Sequence, residues 1–142
     1  MTKRSVALAI TDPRRPGLLL LVQRPSDDED LPDAWGLPAA TLGPAESWEG
    51  AARRAGRDKL GVDLDLGPVV EHGHIDRRDY RLEMRLLPAT IASGTPSVPQ
   101  QHAGVTQYQA ARWAPAAELQ HAAERGSLCA RLCLAWDART RA

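Results

Sequence analysis

The chain has 142 residues, close to the usual length of one globular domain and enough to bury a sizeable core. Lys and Arg together number 18, as do Asp and Glu, so the formal net charge is zero. This balance argues against a protein that binds nucleic acid or anionic membranes through its overall charge. Phe is absent, so the core must be built from aliphatic residues and the four tryptophans. We expect a single domain over residues 1–142.

The first apolar run is too short to export or anchor the chain. Residues 5–10 follow Lys3 and Arg4, and a Thr-Asp-Pro sequence ends the run far short of a signal-peptide core or a spanning helix. We therefore expect a cytoplasmic protein, and the abundant Ala, Arg and Pro suggest a GC-rich bacterial genome. Cys129 and Cys133 lie in an Ala/Leu-rich segment, where we expect buried thiols rather than a zinc site.

Two strands and a turn are predicted at the start of the chain. Residues 4–10 and 18–24 are apolar runs, and the segment 12–17 between them contains the Pro and Gly typical of a turn. We therefore expect these strands to pair as a hairpin. A polar, proline-bounded loop over residues 25–33 then leads to a short extended piece at 35–38.

A helix is predicted over residues 48–60. Ser47 is a suitable N-cap, and Gly61 closes the helix. Gly50 and Gly56 each weaken it by roughly 1 kcal/mol relative to Ala. We therefore expect the helix to depend on packing against a sheet.

The second half of the chain predicts three further strands and a closing helix. Polar and apolar residues alternate over 80–86, which is typical of a sheet with one face in water. The predicted elements are strands at 62–75, 80–92 and 108–113, a loop at 93–107, a turn with a helical start at 114–120, and a helix at 121–136.

A spacing pattern between Pro38 and Val62 identifies a family. Glu46 precedes Arg54 by eight residues, and Gly61-Val62 closes the pattern. It resembles the Nudix box, G-x5-E-x7-R-E-U-x-E-E-x-G-U with U aliphatic, of the Nudix (MutT-like) hydrolase family. Pro38 lies where the family has the Pro of a Pro-Gly-Gly turn. The resemblance implies structural roles for Arg54, which would pair with Glu46, and for Pro38 and Gly61.

The box, at about residues 40–62, is degenerate. Ala55 lies at the Glu position after Arg54, Gly56 at the aliphatic position, and Asp58-Lys59 replaces the closing Glu pair. Ala39 and Ala40 also replace the two glycines of the turn. A second register has weaker support because it loses the closing Glu pair and Gly. That register uses Gly43, Glu49, Arg57 and Asp58 as the G, E, R and E.

These departures concern the metal that the resemblance implies. Residues three and four apart share one helix face, so carboxylates at 55, 58 and 59 would together hold a divalent cation through oxygen. That cation would clamp a diphosphate and help to activate water. With Asp58 as the one acid left on this face, we expect Mg²⁺ or Mn²⁺ to bind weakly. Its ligands would be Asp58 with weaker contributions from Glu46 and Glu49, and Glu46 and Asp58 are the predicted catalytic residues.

Cationic and aromatic residues are candidates for holding a substrate. Arg57 and Lys59 could meet phosphate, although a charged outer helix face is the alternative interpretation. Trp35 or Trp113 could stack a nucleobase. A carboxylate that the family often supplies before its late strand is absent, since this region offers amides. These are Gln100, Gln101, Gln107 and Gln109, with His102 among them.

Two other groups could rebuild a metal site. His72 and His74 share a face of a predicted strand, and no third ligand accompanies them. The acidic run 27–30 could supply carboxylates if its loop folded over the box. Surface histidines and a solvated loop are the alternatives.

The resemblance implies an α+β fold, an α/β/α sandwich with a mixed sheet. Three function hypotheses follow. The first is a hydrolase of a nucleoside diphosphate linked to another group, with a weakened metal site. The second is a binding or sensing module that takes a nucleotide or another diphosphate ligand without turnover. The third is a structural partner such as one half of a homodimer. No membrane or nucleic-acid partner is expected.

Overall fold

The computed structural model describes residues 1–102 and 104–141 and contains eight strands and three α-helices in these ranges. The strands are β1 (Thr2–Thr11), β2 (Leu19–Gln23), β3 (Trp35–Gly36), β4 (Ala39–Thr41), β5 (Asp63–Leu66), β6 (Glu71–Asp76), β7 (Arg81–Ser93) and β8 (Ala110–Ala114). The helices are α1 (Trp48–Ala55), continued by a π-helical turn (Gly56–Leu60), a 3-10 helix (Ala116–Leu119), α2 (Gln120–Glu124) and α3 (Leu128–Arg141).

The larger sheet has the order β4-β1-β7-β5, and β6 pairs with the same edge of β7 as β5. Its centre is the parallel pair β1 and β7, in register from Thr2 opposite Arg81 to Thr11 opposite Thr90. All other pairs in this sheet are antiparallel, so the sheet is mixed.

The predicted hairpin of the first two strands is wrong. β2 belongs to a second, antiparallel sheet with the order β3-β2-β8. Both edges of β1 are already occupied, by β4 on one side and β7 on the other. No edge is left for β2, so the turn at 12–17 carries the chain from one sheet to the other.

Helices cover both faces of the sheets and make the expected α/β/α sandwich. Alternate residues of β1 point to opposite sides: Val6 and Leu8 pack with α1, while Ala7 and Ala9 pack with α2 and α3. Two separate apolar cores result, one on each side. In the described part of the chain, no helix is long and apolar enough to cross a membrane.

Two predicted elements are divided in the structure. The strand expected at 62–75 is divided into β5 and β6. Gly67 still donates its N–H to the Pro88 carbonyl oxygen of β7 at 2.8 Å, and the pairing is interrupted at Pro68, which has no N–H. The helix expected at 121–136 breaks between α2 and α3, because Gly126 adopts a left-handed conformation with φ of 98°. The hydroxyl of Ser127 accepts the Ala130 N–H and starts α3.

The motif helix begins as predicted and ends differently. The Ser47 hydroxyl accepts the Gly50 N–H at 2.9 Å, which confirms the N-cap. Gly61 ends the helix in the left-handed region with φ of 72°, also as expected. Between them, residues 56–60 widen into a π-helical turn. Gly56 is buried there, and a Cβ on it would lie 2.9 Å from Leu64 Cδ1, so only glycine lets this turn approach β5.

Candidate functional site

The box residues Glu46 and Arg54 are joined by a two-point ion pair. Arg54 Nε lies 3.0 Å from Glu46 Oε2, and its Nη2 lies 2.9 Å from Oε1. Arg54 also donates to the Thr41 carbonyl oxygen at 2.7 Å, which ties α1 to β4. The guanidinium and the Gly43 N–H lower the pKa of Glu46 to about 2. The expected pair is therefore present, and both Glu46 oxygens are committed to it.

The turn before the motif is fixed by buried backbone contacts. Pro38 is fully buried, and its carbonyl oxygen accepts the Leu8 N–H at 2.9 Å. This contact holds the end of β3 against the centre of β1 and sets the start of β4 beside the motif helix. Pro38 thus contributes to the packing of this turn, and the structural roles that the resemblance implies for Pro38 and Gly61 stay a prediction.

Lys59 points from the π-helical turn into a cleft beside β4. Its Nζ donates to the Ala39 carbonyl oxygen at 2.6 Å and lies 5.3 Å from the centre of the Tyr108 ring. The Tyr108 hydroxyl also bonds to Ala39, accepting its N–H at 2.9 Å. Burial, and then the nearby Arg24 and Arg54, lower the pKa of Lys59 to about 8. At neutral pH the side chain is therefore mostly protonated and carries a positive charge.

The cleft has a volume of about 240 Å³ and a positively charged lining. It is bounded by the edge strand β4, the first residues of β1, the loop after β2 and the buried Tyr108. Of the described residues that line it, two are acidic and four are basic: Asp28, Asp30, Lys3, Arg24, Lys59 and Arg77.

The acidic loop at 27–30 folds over this cleft. Asp28 Oδ2 lies 3.2 Å from Arg24 Nη1 and accepts the Leu31 N–H at 2.9 Å. Asp30 Oδ2 accepts the Tyr80 hydroxyl at 3.3 Å. Asp28 is thus committed to an ion pair and to the backbone of its own loop, while Asp30 is exposed and makes one longer bond.

The other predicted metal and phosphate ligands do not line the cleft. Asp58 Oδ1 lies 4.0 Å from His102 Nδ1, on the side of the loop at 93–107, which is amide-rich as predicted. Arg57 and Glu49 are exposed. None of these three is among the described residues that form the cleft wall. The structure therefore brings Lys59 to the cleft and leaves Asp58, Arg57 and Glu49 outside it.

These residues do not fit a magnesium site of the kind that the resemblance implies. Ala55 is fully buried and has no ligand atom, Glu46 is held by Arg54, and Asp58 points away from Lys59's cleft. Within residues 1–102 and 104–141, no group of three or more His, Cys, Asp or Glu side chains is placed to hold a metal ion. The space beside β4 holds a lysine ammonium instead.

The predicted stacking residues also lie elsewhere. Trp35 has the Arg112 guanidinium 4.3 Å from the centre of its ring, and Trp113 has that of Arg15 at 5.3 Å. Trp113 lines a different cavity of about 310 Å³. Neither tryptophan is among the described residues of the Lys59 cleft.

His72 and His74 share a face of β6, as expected, and both are exposed. They line a cavity of about 560 Å³ on the α1 side of the sheet, where Arg4 and Arg85 are their basic neighbours. Three further residues of the cleft were not predicted from the sequence: Arg24, Arg77 and Tyr108. They lie in three segments far apart in the sequence, and only the fold brings them to Lys59.

The comparisons with known proteins agree on one family. A profile of the NUDIX domain matches residues 1–136. No curated protein sequence matches the chain.

Solved structures with this fold include three bacterial or archaeal proteins. The MutT protein from Methanosarcina mazei Go1 is 13% identical, with 99% of this chain and 96% of that chain covered and a TM-score of 0.75. The NUDIX hydrolase from Nitrosomonas europaea is 17% identical, with 99% and 90% covered and a TM-score of 0.76. The MutT NUDIX hydrolase from Burkholderia pseudomallei is 25% identical, with 89% and 99% covered and a TM-score of 0.64.

Proposed function

The chain belongs to the NUDIX domain family, and from this premise we propose that it binds a phosphate- or diphosphate-bearing small molecule in the Lys59 cleft without a divalent cation. The observation that carries the proposal is the Lys59 ammonium. It projects into the cleft from a box position where the family pattern has a metal-binding Glu.

Charge explains how the ligand would be held. In a metal-dependent site, the metal ion supplies the positive charge that attracts a diphosphate. Here the side chains of Lys59, Arg24 and Arg77 supply it. Because Lys59 is half-buried, its attraction for an anion is screened less than that of a surface lysine. A cleft of about 240 Å³ is smaller than most small-molecule pockets. It would take the phosphate groups and a small part of the remaining ligand.

A second candidate function is magnesium-dependent hydrolysis of a nucleoside diphosphate linked to another group. Nudix hydrolases generally use divalent metal ions, and the Glu46–Arg54 pair of the box is intact. In this case Asp58 would have to turn from His102 and act with Glu46 and Glu49 as a weak metal site. Nucleotide turnover would then depend on Asp58 more than on Lys59.

Calorimetric titration with inorganic diphosphate in EDTA separates the two functions. Lys59→Met should weaken binding by about tenfold or more, and more strongly at low salt, because it removes a partly buried charge. Arg57→Met is the matched control, since it removes one charge from the same helical turn but outside the cleft. Asp58→Ala should leave binding intact.

Two results would refute ligand binding without metal. One is a parent that binds diphosphate only after Mg²⁺ is added. The other is an equal loss of diphosphate affinity in Lys59→Met and Arg57→Met. That result would show that diphosphate is attracted by the overall charge of the helix and not by Lys59 in the cleft. Loss of phosphate release in Asp58→Ala, measured with Mg²⁺ and a nucleotide panel, would support the hydrolase.

We retain a bacterial cytoplasmic location as part of the proposal, to be tested by cell fractionation.

A further inference from the structure

We infer that the ligand of the Lys59 cleft is a phosphorylated sugar or polyol that carries no nucleobase, and that Lys3 is one of the groups that exclude a base. This inference rests on the proposed function and narrows its ligand class. Three features of the cleft support it: covered aromatic rings, exposed acceptors for hydroxyl groups, and a small volume.

The two aromatic rings of the cleft wall are covered by ammonium groups of the protein itself. Lys3 Nζ lies 4.2 Å from the centre of the Tyr80 ring. Lys59 Nζ lies 5.3 Å from the centre of the Tyr108 ring, and Tyr108 is only 5% exposed. Recognition of a nucleobase generally uses an aromatic face on which the base can stack. A base entering here would have to displace a lysine from its ring.

No other aromatic residue can replace these two tyrosines. The chain has four tryptophans and no Phe. Three of the tryptophans carry arginines on their own rings: Arg112 on Trp35, Arg85 on Trp48 and Arg15 on Trp113. The fourth, Trp136, belongs to α3 and packs against the core, partly buried. None of the four is among the described residues that line the cleft.

The cleft instead offers acceptors for hydroxyl groups. Asp30 is exposed, and a carboxylate has about four acceptor sites, of which the Tyr80 hydroxyl uses one. Thr41 and Thr106 add hydroxyl groups to the wall. Asp30 contacts Tyr80, whereas Lys59 contacts Ala39 and Tyr108, so acceptor and cation belong to different parts of the lining. A sugar phosphate presents hydroxyls and an anion in the same molecule.

A cleft of about 240 Å³ matches a sugar phosphate better than a nucleotide. Arg77, which also lines the cleft, has a buried Nε without a hydrogen-bond partner in the described part of the chain. This atom is closed to a ligand, and Nη2 donates to the Gly126 carbonyl oxygen at 3.2 Å, so Arg77 adds positive charge to the wall rather than a donor for the phosphate.

A series of three probes tests the inference in EDTA at neutral pH: inorganic phosphate, ribose 5-phosphate and adenosine 5′-monophosphate. The last two differ at C1, where adenine in the nucleotide replaces the hydroxyl of ribose 5-phosphate. We expect ribose 5-phosphate to bind at least about threefold more tightly than phosphate, and the nucleotide to gain less than about threefold over ribose 5-phosphate. NMR titration of the intact protein gives all three dissociation constants even in the millimolar range.

Each other outcome has a distinct meaning. A nucleotide that binds more than about threefold better than ribose 5-phosphate overturns the inference and leaves the proposed function standing. Ribose 5-phosphate that binds no better than phosphate also overturns it. If phosphate, diphosphate and both esters all fail to bind, the proposed function itself is wrong.

Two variants test whether Lys3 and Asp30 cause this preference for a ligand without a base. Lys3→Ala uncovers the Tyr80 ring, so the affinity ratio of nucleotide to ribose 5-phosphate should rise by about threefold or more, while Arg4→Ala on the opposite face of β1 leaves it unchanged. Because both ligands carry the same phosphate group, losing the Lys3 charge should weaken both equally and leave the ratio of their affinities unaffected. Asp30→Ala, which removes the acceptor oxygens, should abolish the gain of ribose 5-phosphate over phosphate, and Glu29→Ala in the same loop should not. An unchanged ratio in Lys3→Ala would refute the exclusion role of Lys3.

Discussion

The carboxylate of Glu46 and the guanidinium of Arg54 face each other edge to edge, with both nitrogen–oxygen distances at or below 3.0 Å. The pair links the turn before α1 to the second turn of α1 and to β4. The part of the Nudix box that this chain keeps is therefore the part that assembles the motif. At the three helix positions where the family pattern has Glu, the chain has Ala55, Asp58 and Lys59.

Removing the Glu46 charge should cost stability only above acidic pH. The pKa of Glu46 falls from 4.5 to about 2 on folding, chiefly through Arg54, so its contribution is present above pH 4.5 and is lost as the pH falls toward 2. Glu46→Gln should lower the free energy of unfolding by about 1 kcal/mol at neutral pH, since the pair is bidentate but close to the surface. Urea denaturation across this range measures the difference. Glu49→Gln, an exposed residue of the same helix, serves as control, and an equal loss in both variants would contradict the prediction.

Lys59 should affect stability with the same sign of pH dependence as Glu46, but at alkaline pH. Burial lowers its pKa from 10.5 to about 8, so between these values the unfolded chain still holds a proton that the folded chain has released. The free energy of unfolding of the parent should therefore rise with pH over this window relative to Lys59→Met, by about 1 kcal/mol after allowance for solvent. Denaturation at neutral pH and near pH 9.5 tests this. A difference between parent and variant that stays constant with pH would show that the ammonium is fully hydrated.

Binding of an anion should weaken as Lys59 loses its proton. The affinity for inorganic diphosphate should decline as the pH rises through about 8, because the neutral amine no longer attracts the anion. In Lys59→Arg the charge persists at all working pH values, so the decline should disappear. Titrations at matched ionic strength distinguish the two proteins. A parent and a Lys59→Arg variant with the same pH profile would place the titrating group elsewhere.

The sequence predicted the individual strands and helices better than it predicted which strands pair. Ser47 and Gly61 carry their own local signals, so both ends of the motif helix could be placed. The hairpin failed because β1 is a long central strand whose edges are taken by β4 and the distant β7, and nothing in residues 4–24 encodes those long-range pairings. The predicted last helix is broken at Gly126, which has a positive φ. The Ala- and Leu-rich residues around it favour helix, so the break was not predicted.

The site was only partly predictable, for a related reason. The box spacing located Glu46, Arg54 and Lys59, and it gave the Glu46–Arg54 pair. The π-helical turn then sends Lys59 toward Ala39 and Asp58 toward His102, so helix periodicity alone could not say which of them faces the cleft. The rest of the wall, including Arg24 and Arg77, comes from distant segments.

Gly56→Ala should destabilise the protein although Ala favours helix. The new Cβ would lie 2.9 Å from Leu64 Cδ1 and 3.1 Å from the Val62 carbonyl oxygen. The steric cost of about 1–3 kcal/mol should outweigh the gain of about 1 kcal/mol in helix propensity. Thermal denaturation of the purified variant gives the sign. Glu49→Ala, on the exposed face of α1, should be nearly neutral, and a stabilised Gly56→Ala would mean that the π-helical turn can relax to an α-helix.

Lys59→Glu should create a response to magnesium that the parent lacks. Restoring the other missing carboxylate is less suitable, because Ala55, the last residue of α1, is fully buried in the core and a Glu there should unfold the motif. Residue 59 already reaches the cleft, where a carboxylate would join Asp28, whose charge acts on Lys59, as an oxygen ligand. At about 5 mM Mg²⁺ a site of about millimolar affinity adds roughly 1 kcal/mol and raises the melting temperature by about 2–4 °C. The parent should shift by less, and its metal-free binding of diphosphate should be lost in the variant.

Lys59→Gln is the control for this change, because it removes the ammonium without adding a carboxylate. It should lose diphosphate binding and gain no response to magnesium. If the parent already responds to Mg²⁺ well below about 1 mM, as strongly as Lys59→Glu, then carboxylates such as Asp28 and Asp58 must assemble a metal site when the ion arrives. That result would replace metal-free binding with the magnesium-dependent hydrolase as the function of this cleft.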